Sequence, residues 1–193
     1  MAHKFNPKMK EKLDSPERRA VLPPKEILVQ NNLHKGQTLV DIGCGTGYFT
    51  LAGAEIVGEA GKAVGLDTSA EMISHLENKI LVKGYSNTHL LLSEEYADFA
   101  VLGFIFHEVD NKARFLQEIR RVLKPSGTLL ILEWAKNEQL QGGPPLHHRL
   151  SMKEAADFLT SGGFEVRKNG NIGLQYYSIR GESRVSGAVS NQQ

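Results

Sequence analysis

The chain is predicted to be an α/β protein of three layers, doubly wound, with a mostly parallel seven-stranded sheet that ends in a C-terminal antiparallel hairpin. Three observations predict it. Short apolar runs alternate with helix-spaced apolar residues from Thr38 to Trp134, as in a parallel sheet covered on both faces. A glycine-rich stretch, VDIGCGTG, stands between the first strand and the first helix, where such sheets bind ligands. After Gly163, FEVRK and GLQYYSIR flank a short NGNI turn, which reads as an antiparallel hairpin at the sheet edge.

Each element follows from local pattern. PERRAVLPPKEIL reads as short helices opened by prolines, whose fixed φ suits a first helical turn. TLVDI, from Thr38, is the first strand, and the helix from about Thr46 lines up Phe49, Ala52, Ile56 and Val57. AVGLD, Ala63 to Asp67, is the second strand. Ser69 caps the next helix, which buries Met72, Ile73, Leu76 and Ile80 before Gly84 stops it. THLLLS is the third strand and DFAVLGFIF the fourth. A helix from Asn111 carries Phe115, Ile119, Val122 and Leu123, after which KPSG turns the chain into TLLILEW, the fifth strand. Ser151 and Glu154 have capping-box spacing and open a helix through Phe158 and Leu159 that ends at Gly162 and Gly163. Residues 1–34 are expected to form a helical lid segment, 35–180 the ligand-binding domain, and 181–193, small, polar and aperiodic, a disordered tail.

Composition narrows the function classes. A chain of 193 residues with 40% hydrophobic content supports one sizeable core. Its 23 basic and 22 acidic side chains set up no global field for nucleic acid or an anionic membrane. The single cysteine, Cys44, forms no internal disulfide and fits a reducing compartment. No apolar run reaches the ~20 residues that span a bilayer, so a cytoplasmic protein is expected.

Gly43, Gly45 and Gly47 let the backbone turn tightly and approach a ligand, and the helix behind them presents unpaired amides. A dinucleotide fingerprint would need its third glycine at position 48, which is Tyr48. Asp41, just before the loop, would repel a pyrophosphate and attract a cation. Asp67 ends the second strand, placed to accept both hydroxyls of a ribose. A ribose with a cationic neighbour describes a sulfonium nucleoside. Cys44 is a small filler between glycines, with no basic partner nearby to activate it. His107, in HEV past the fourth strand, is the candidate proton acceptor or substrate orienter, though HEV can equally anchor a loop. Trp134, Phe106 and Phe5 can wall a pocket or pack a core. His147 and His148 invite a metal, but adjacent side chains rarely converge on one ion, and no metal is expected.

Through VDIGCGTG, VGLDTS, DFAVLGFIFHEV and RRVLKPSGTLLILEW, the chain resembles the class I S-adenosylmethionine-dependent methyltransferases, over roughly residues 36 to 180. The resemblance implies that Asp41, Gly43, Cys44, Gly45 and Gly47 hold the amino-acid half of the cofactor and Asp67 its ribose. It places Thr68, Ser69 and Met72 along the adenosine, Glu94 near the adenine, and Gly103 and Phe104 beneath the methionine moiety. It also implies in-line transfer of the sulfonium methyl, with S-adenosylhomocysteine as product. The N/D-P-P-Y/F/W motif of base-methylating relatives is missing, and one cysteine is too few for arsenic methylation, so a small-molecule acceptor is expected. The rivals are a non-catalytic cofactor-binding module and an NAD(P)-dependent oxidoreductase; Tyr48 and the terminal hairpin count against the latter.

One stretch conflicts with this order. The third and fourth strands should lie about three spacings apart and run the same way, a span of roughly 22 Å. Four residues between Ser93 and Asp98 reach about 14 Å, so residues are expected to be absent near Glu95 and Tyr96.

Overall fold

The computed structural model describes residues 15–79, 93–140 and 142–184. Within them, strands β1 (Thr38–Ile42), β2 (Lys62–Leu66), β3 (Ala97–Gly103), β4 (Leu123–Trp134), β5 (Phe164–Ile172) and β6 (Tyr176–Ser183) form one sheet. Its order is β2-β1-β3-β4-β6-β5. The first four run parallel, and β6 lies antiparallel to both β4 and β5. The helices are α1 (Pro16–Val21), α2 (Pro24–Gln30), α3 (Tyr48–Val57), α4 (Ala70–Lys79), α5 (Lys112–Val122) and α6 (Met152–Ser161).

The central strands are apolar on both faces because helices cover both. Leu39, Phe99, Val101, Leu130 and Leu132 pack with Leu28 of α2 and Phe49 and Ala52 of α3. Their alternate neighbours, Val40, Ala100, Leu102, Leu129 and Ile131, pack with Leu116 and Ile119 of α5 and Leu159 of α6. Side chains therefore change face at every residue, as pleating requires. The helix starts are built as their sequences suggest. Pro16 and Pro24 open α1 and α2, the Asn111 side chain accepts the Arg114 amide at 3.0 Å, and Ser151 and Glu154 cap α6 reciprocally.

Several expectations are corrected. KPSG is no simple turn: β4 begins at Leu123, and a register shift between Ala97 and Phe99, with Ser126 at φ 60°, absorbs the irregularity. NGNI continues β5, and the reversal falls at Gly173 to Gln175, where Gly173 takes φ 59°. Strand β6 reaches Ser183, so 181–183 are strand, and the rest of the expected tail, from 185, lies outside the described residues. In α5 it is Leu116, not Phe115, that is fully buried beside Ile119. The segment expected to be a lid contributes Leu22, Ile27, Leu28 and Leu33 to the core.

Six strands are present among the described residues where seven were expected. The expected third strand falls at 88–92, outside the described residues, as do Phe5, Ile80 and Gly84. Glu94 and Glu95 turn the chain into β3, which stands between β1 and β4 as the fourth strand should. The span behind the expectation of absent residues starts at 88–92, outside the described residues; Glu95 and Tyr96 themselves are described, in the turn that leads into β3.

Candidate functional site

The glycine loop leaves the carboxyl end of β1 with Gly43, Gly45 and Gly47 all left-handed, at φ 72°, 53° and 86°. The amides of Gly43 and Cys44 donate to the Leu66 carbonyl at 2.7 and 2.9 Å, stitching the loop to β2. A Cβ at Gly43 would stand 2.7 Å from Ile105 Cγ2, and one at Gly47 2.3 Å from Leu76 Cδ1. The fold itself therefore demands these two glycines, beyond any ligand. Between them, the Thr46 hydroxyl is buried without a hydrogen-bond partner.

Asp67 holds this loop from the next strand. Its Oδ2 accepts the Gly45 amide at 2.9 Å and its Oδ1 the Ser69 amide at 2.8 Å. A carboxylate offers about four acceptor positions, so both oxygens keep capacity for further donors. Asp41 is buried on the α3 face, where its Oδ2 accepts the Thr50 hydroxyl at 2.6 Å. Burial pushes its pKa to about 7, with the charge of Asp67 adding to the rise and the Thr50 hydrogen bonds opposing it. Burial, then Asp41 and Asp67, push the Cys44 thiol up, which suits a filler and not a nucleophile. Met72 is buried, Ser69 Oγ accepts the Met72 amide at 3.4 Å, and Thr68 is exposed.

At the end of β3, a Cβ on Gly103 would meet the Phe49 ring at 2.9 Å. Phe104 takes φ 66° and sends its ring to Tyr176 and Trp134, with centroids 5.2 and 5.9 Å away. The Arg18 guanidinium of α1 lies over both the Tyr48 and Phe104 rings, at 4.5 and 5.1 Å. Sequence reasoning missed Arg18, Thr50 and Tyr176 in these roles.

His107 sits on a short turn, Phe106–Glu108, on the opposite face of the sheet. Its amide donates to Glu133 Oε1 at 3.0 Å, and its Nδ1 lies 2.8 Å from Glu133 Oε2. The two side chains are 4% and 1% exposed, and Nε2 is 3.8 Å from Glu108 Oε1. Lys112 and Tyr177 also face Glu133. Burial lowers the Lys112 pKa against the pull of Glu133 and Asp110, and burial raises that of Tyr177 with help from Glu133 and Glu154. Glu133 was overlooked, although an acid inside the apolar strand TLLILEW was a signal.

Glu94 is exposed in the turn before β3, and the amide of its neighbour Glu95 donates to the Arg121 carbonyl in the last turn of α5, just before β4. That is the amino edge of the parallel strands, and the seven residues of β3 span roughly 20 Å to the glycine loop's edge. The rings of His147 and His148 touch each other, and among the described residues no group of three or more His, Cys, Asp or Glu is placed to hold a metal. No helix among the described residues is long and apolar enough to cross a membrane.

Parallel strands, a left-handed glycine loop, an acid at the end of the neighbouring strand and antiparallel closing strands define a nucleoside-cofactor-binding α/β protein. The chain belongs to the class I S-adenosylmethionine-dependent methyltransferase family, whose cofactor is S-adenosylmethionine. A family profile described as "Methyltransferase domain" matches residues 40–131. The crystal structure of a SAM dependent methyltransferase from Aquifex aeolicus is 30% identical, with a TM-score of 0.85, over 93% of this chain and 99% of that one. Demethylmenaquinone methyltransferases of Bacillus velezensis and Geobacillus stearothermophilus are 36% and 33% identical over 115 and 117 residues. Those alignments take 55% and 56% of this chain but 49% and 50% of the relatives, so the chain spans about half the length of the curated relatives it matches.

Proposed function

We propose that the protein moves the sulfonium methyl of S-adenosylmethionine to a small-molecule acceptor by in-line displacement. The observation that carries this reading is Asp67, which is fixed by the Gly45 and Ser69 amides and still has acceptor positions for two ribose hydroxyls. The residues fit the cofactor. Asp41 and Asp67 put negative charge at the glycine loop, which favours a ligand with sulfonium and ammonium groups and opposes a pyrophosphate.

In this reading Asp41 and the backbone of Gly43, Cys44, Gly45 and Gly47 hold the methionine end. Thr68, Ser69 and Met72 line the adenosine, and Gly103 and Phe104 lie beneath the methionine. Bound there, the cofactor supplies an electrophilic methyl and leaves as S-adenosylhomocysteine. The chain's part is alignment and exclusion of water. His107 takes the acceptor's proton at Nε2, because Glu133 occupies Nδ1 with a carboxylate and so holds the ring N–H on that side. The matched relatives are named for demethylmenaquinone, which makes a hydroquinone ring the first acceptor to try.

Calorimetry with S-adenosylmethionine, S-adenosylhomocysteine and NAD, followed by methyl transfer to hydroquinones and other small phenols, tests the proposal. Binding of NAD alone would sink it. Tight cofactor binding with no transfer to any acceptor would leave the non-catalytic module standing.

A further inference from the structure

We propose that the cavity under the loop between β4 and α6 binds a carboxylate-bearing small molecule through Arg149. This rests on the methyltransferase reading in one respect, that the molecule is the acceptor.

The loop runs from Ala135 to Ser151 with one short turn, Leu146–His148, and loops of more than about 12 residues with so little structure usually carry function. It borders an open cavity of about 450 Å³, lined by Asn137, Leu140, Gly142, Pro144, Leu146 and Arg149. That volume lies within the roughly 300–1,000 Å³ of small-molecule sites.

Arg149 is 5% exposed. Its Nε donates to the Pro144 carbonyl at 2.9 Å, Nη1 to Ala135 at 3.1 Å and Nη2 to Gly142 at 2.5 Å. A guanidinium has five N–H groups, so these bonds leave two uncommitted. Carbonyls satisfy donors without cancelling charge, and buried charges are normally paired. Among the described residues Arg149 makes no ion pair. Among the described residues, the cavity therefore has a cation in its wall without a carboxylate paired to it. Glu138, exposed, also lines it. One guanidinium opposed by one rim carboxylate suits a monoanion better than a doubly charged phosphate, and its planar fork matches a planar carboxylate.

Trp134 links the cavity wall to the proposed cofactor site. Gly143, at φ 72°, lies so close to the Trp134 indole that a Cβ would stand 2.7 Å from it, and the Arg149 Cζ is 5.7 Å from that ring. Trp134 in turn contacts Phe104, the residue after Gly103.

Trp134 is the chain's single tryptophan and packs against Gly143 of this wall and against Phe104, so its emission reports on both neighbourhoods, and the cavity is read with the cofactor absent. The full chain is titrated with benzoate and with neutral benzamide at fixed ionic strength. The inference expects saturable emission changes with benzoate and binding of benzamide at least about tenfold weaker. Arg149→Gln should erase the preference, and Arg149→Lys should keep part of it. Equal response to both probes, no saturable response to benzoate, or an unchanged preference in folded Arg149→Gln overturns the proposal. If Arg149→Gln does not fold, the wild-type comparison and Arg149→Lys decide. S-adenosylhomocysteine affinity, measured separately by calorimetry, shows whether the methyltransferase reading has failed instead.

Discussion

Nδ1 of His107 lies 2.8 Å from Oε2 of Glu133, and the His107 amide donates to the other oxygen of the same carboxylate at 3.0 Å. An ionised carboxylate accepts only, so Nδ1 is the nitrogen placed to donate to it, and a neutral ring would then keep its lone pair on Nε2. Glu133→Gln turns one of those oxygens into an NH₂ donor. With the His107 amide holding the remaining oxygen, the NH₂ falls nearest Nδ1 and favours the proton on Nε2, against the Trp134 amide, 3.3 Å from that position, and the retained oxygen, 3.0 Å from Nδ1. Nitrogen NMR of the ring should show that switch. Turnover should fall by roughly the 10²- to 10⁴-fold that general-base catalysis contributes, with S-adenosylhomocysteine affinity kept. Glu108 and Lys112 stand nearby in both proteins, so the comparison isolates Glu133. Full turnover in a folded variant with the switched tautomer would leave the pair as a loop anchor.

Asp67→Ala removes a carboxylate that serves both the loop and, in our reading, the ribose. Losing charge-assisted hydrogen bonds should weaken S-adenosylhomocysteine binding by about 1–3 kcal/mol in calorimetry. Asp67→Asn keeps one accepting oxygen and should fall between. Unchanged affinity in folded Asp67→Ala would remove it from the site.

Asp41 predicts a pH dependence whose sign is fixed by its raised pKa. In the unfolded chain the group titrates near 3.8, and in the fold near 7. The protonated form is thus the one the fold prefers. Its stabilising contribution is complete below about pH 4 and is lost as pH rises through about 7. The melting temperature of the ligand-free protein should fall from pH 5 to pH 8, and less so in Asp41→Asn. A cationic ligand prefers the carboxylate, so its affinity should rise over the same window with release of a proton. Parallel pH curves for wild type and Asp41→Asn would refute this.

The alternation of strands and helices was legible because both sheet faces are covered, and each apolar run therefore reads clearly. The glycine loop was legible for a local reason, its position between TLVDI and the next helix. What escaped depended on distant partners. Asn-Gly is the strongest short hairpin signal, yet Asn169 and Gly170 pair with Ile179 and Ser178 as strand, and Gly173 makes the turn three residues on. Glu133 pairs with a residue 26 positions upstream, and nothing near it in sequence announces that.

Gly47→Ala should destabilise the protein with no ligand present. Its φ of 86° disfavours any side chain, and the new Cβ would lie 2.3 Å from Leu76 Cδ1 in the buried contact between α3 and α4. Strain and overpacking are each worth about 1–3 kcal/mol, so a drop of several degrees in melting temperature is expected. An unshifted melt would mean that α4 can move away at little cost.

The N-terminal helices make the last prediction. Read as a lid, residues 1–34 should affect turnover and leave the fold intact. Their packing argues otherwise. Leu22 and Leu28 are fully buried, Ile27 and Leu33 nearly so, and the Tyr48 hydroxyl at the start of α3 donates to the Leu22 carbonyl at 2.7 Å. Burying a large aliphatic side chain stabilises by about 1.5–3 kcal/mol, so four approach the whole stability of an ordinary domain, about 5–15 kcal/mol. Leu28→Ala alone should cost about 2–5 kcal/mol in denaturant unfolding. Arg18→Ala, which removes contacts over the Tyr48 and Phe104 rings, should cost about 1–2 kcal/mol at most, so any gating role should appear there as altered turnover in a protein of nearly normal stability. If Leu28→Ala were as stable as wild type, the helices would be a detachable cover after all, and the core boundary drawn here would be misplaced.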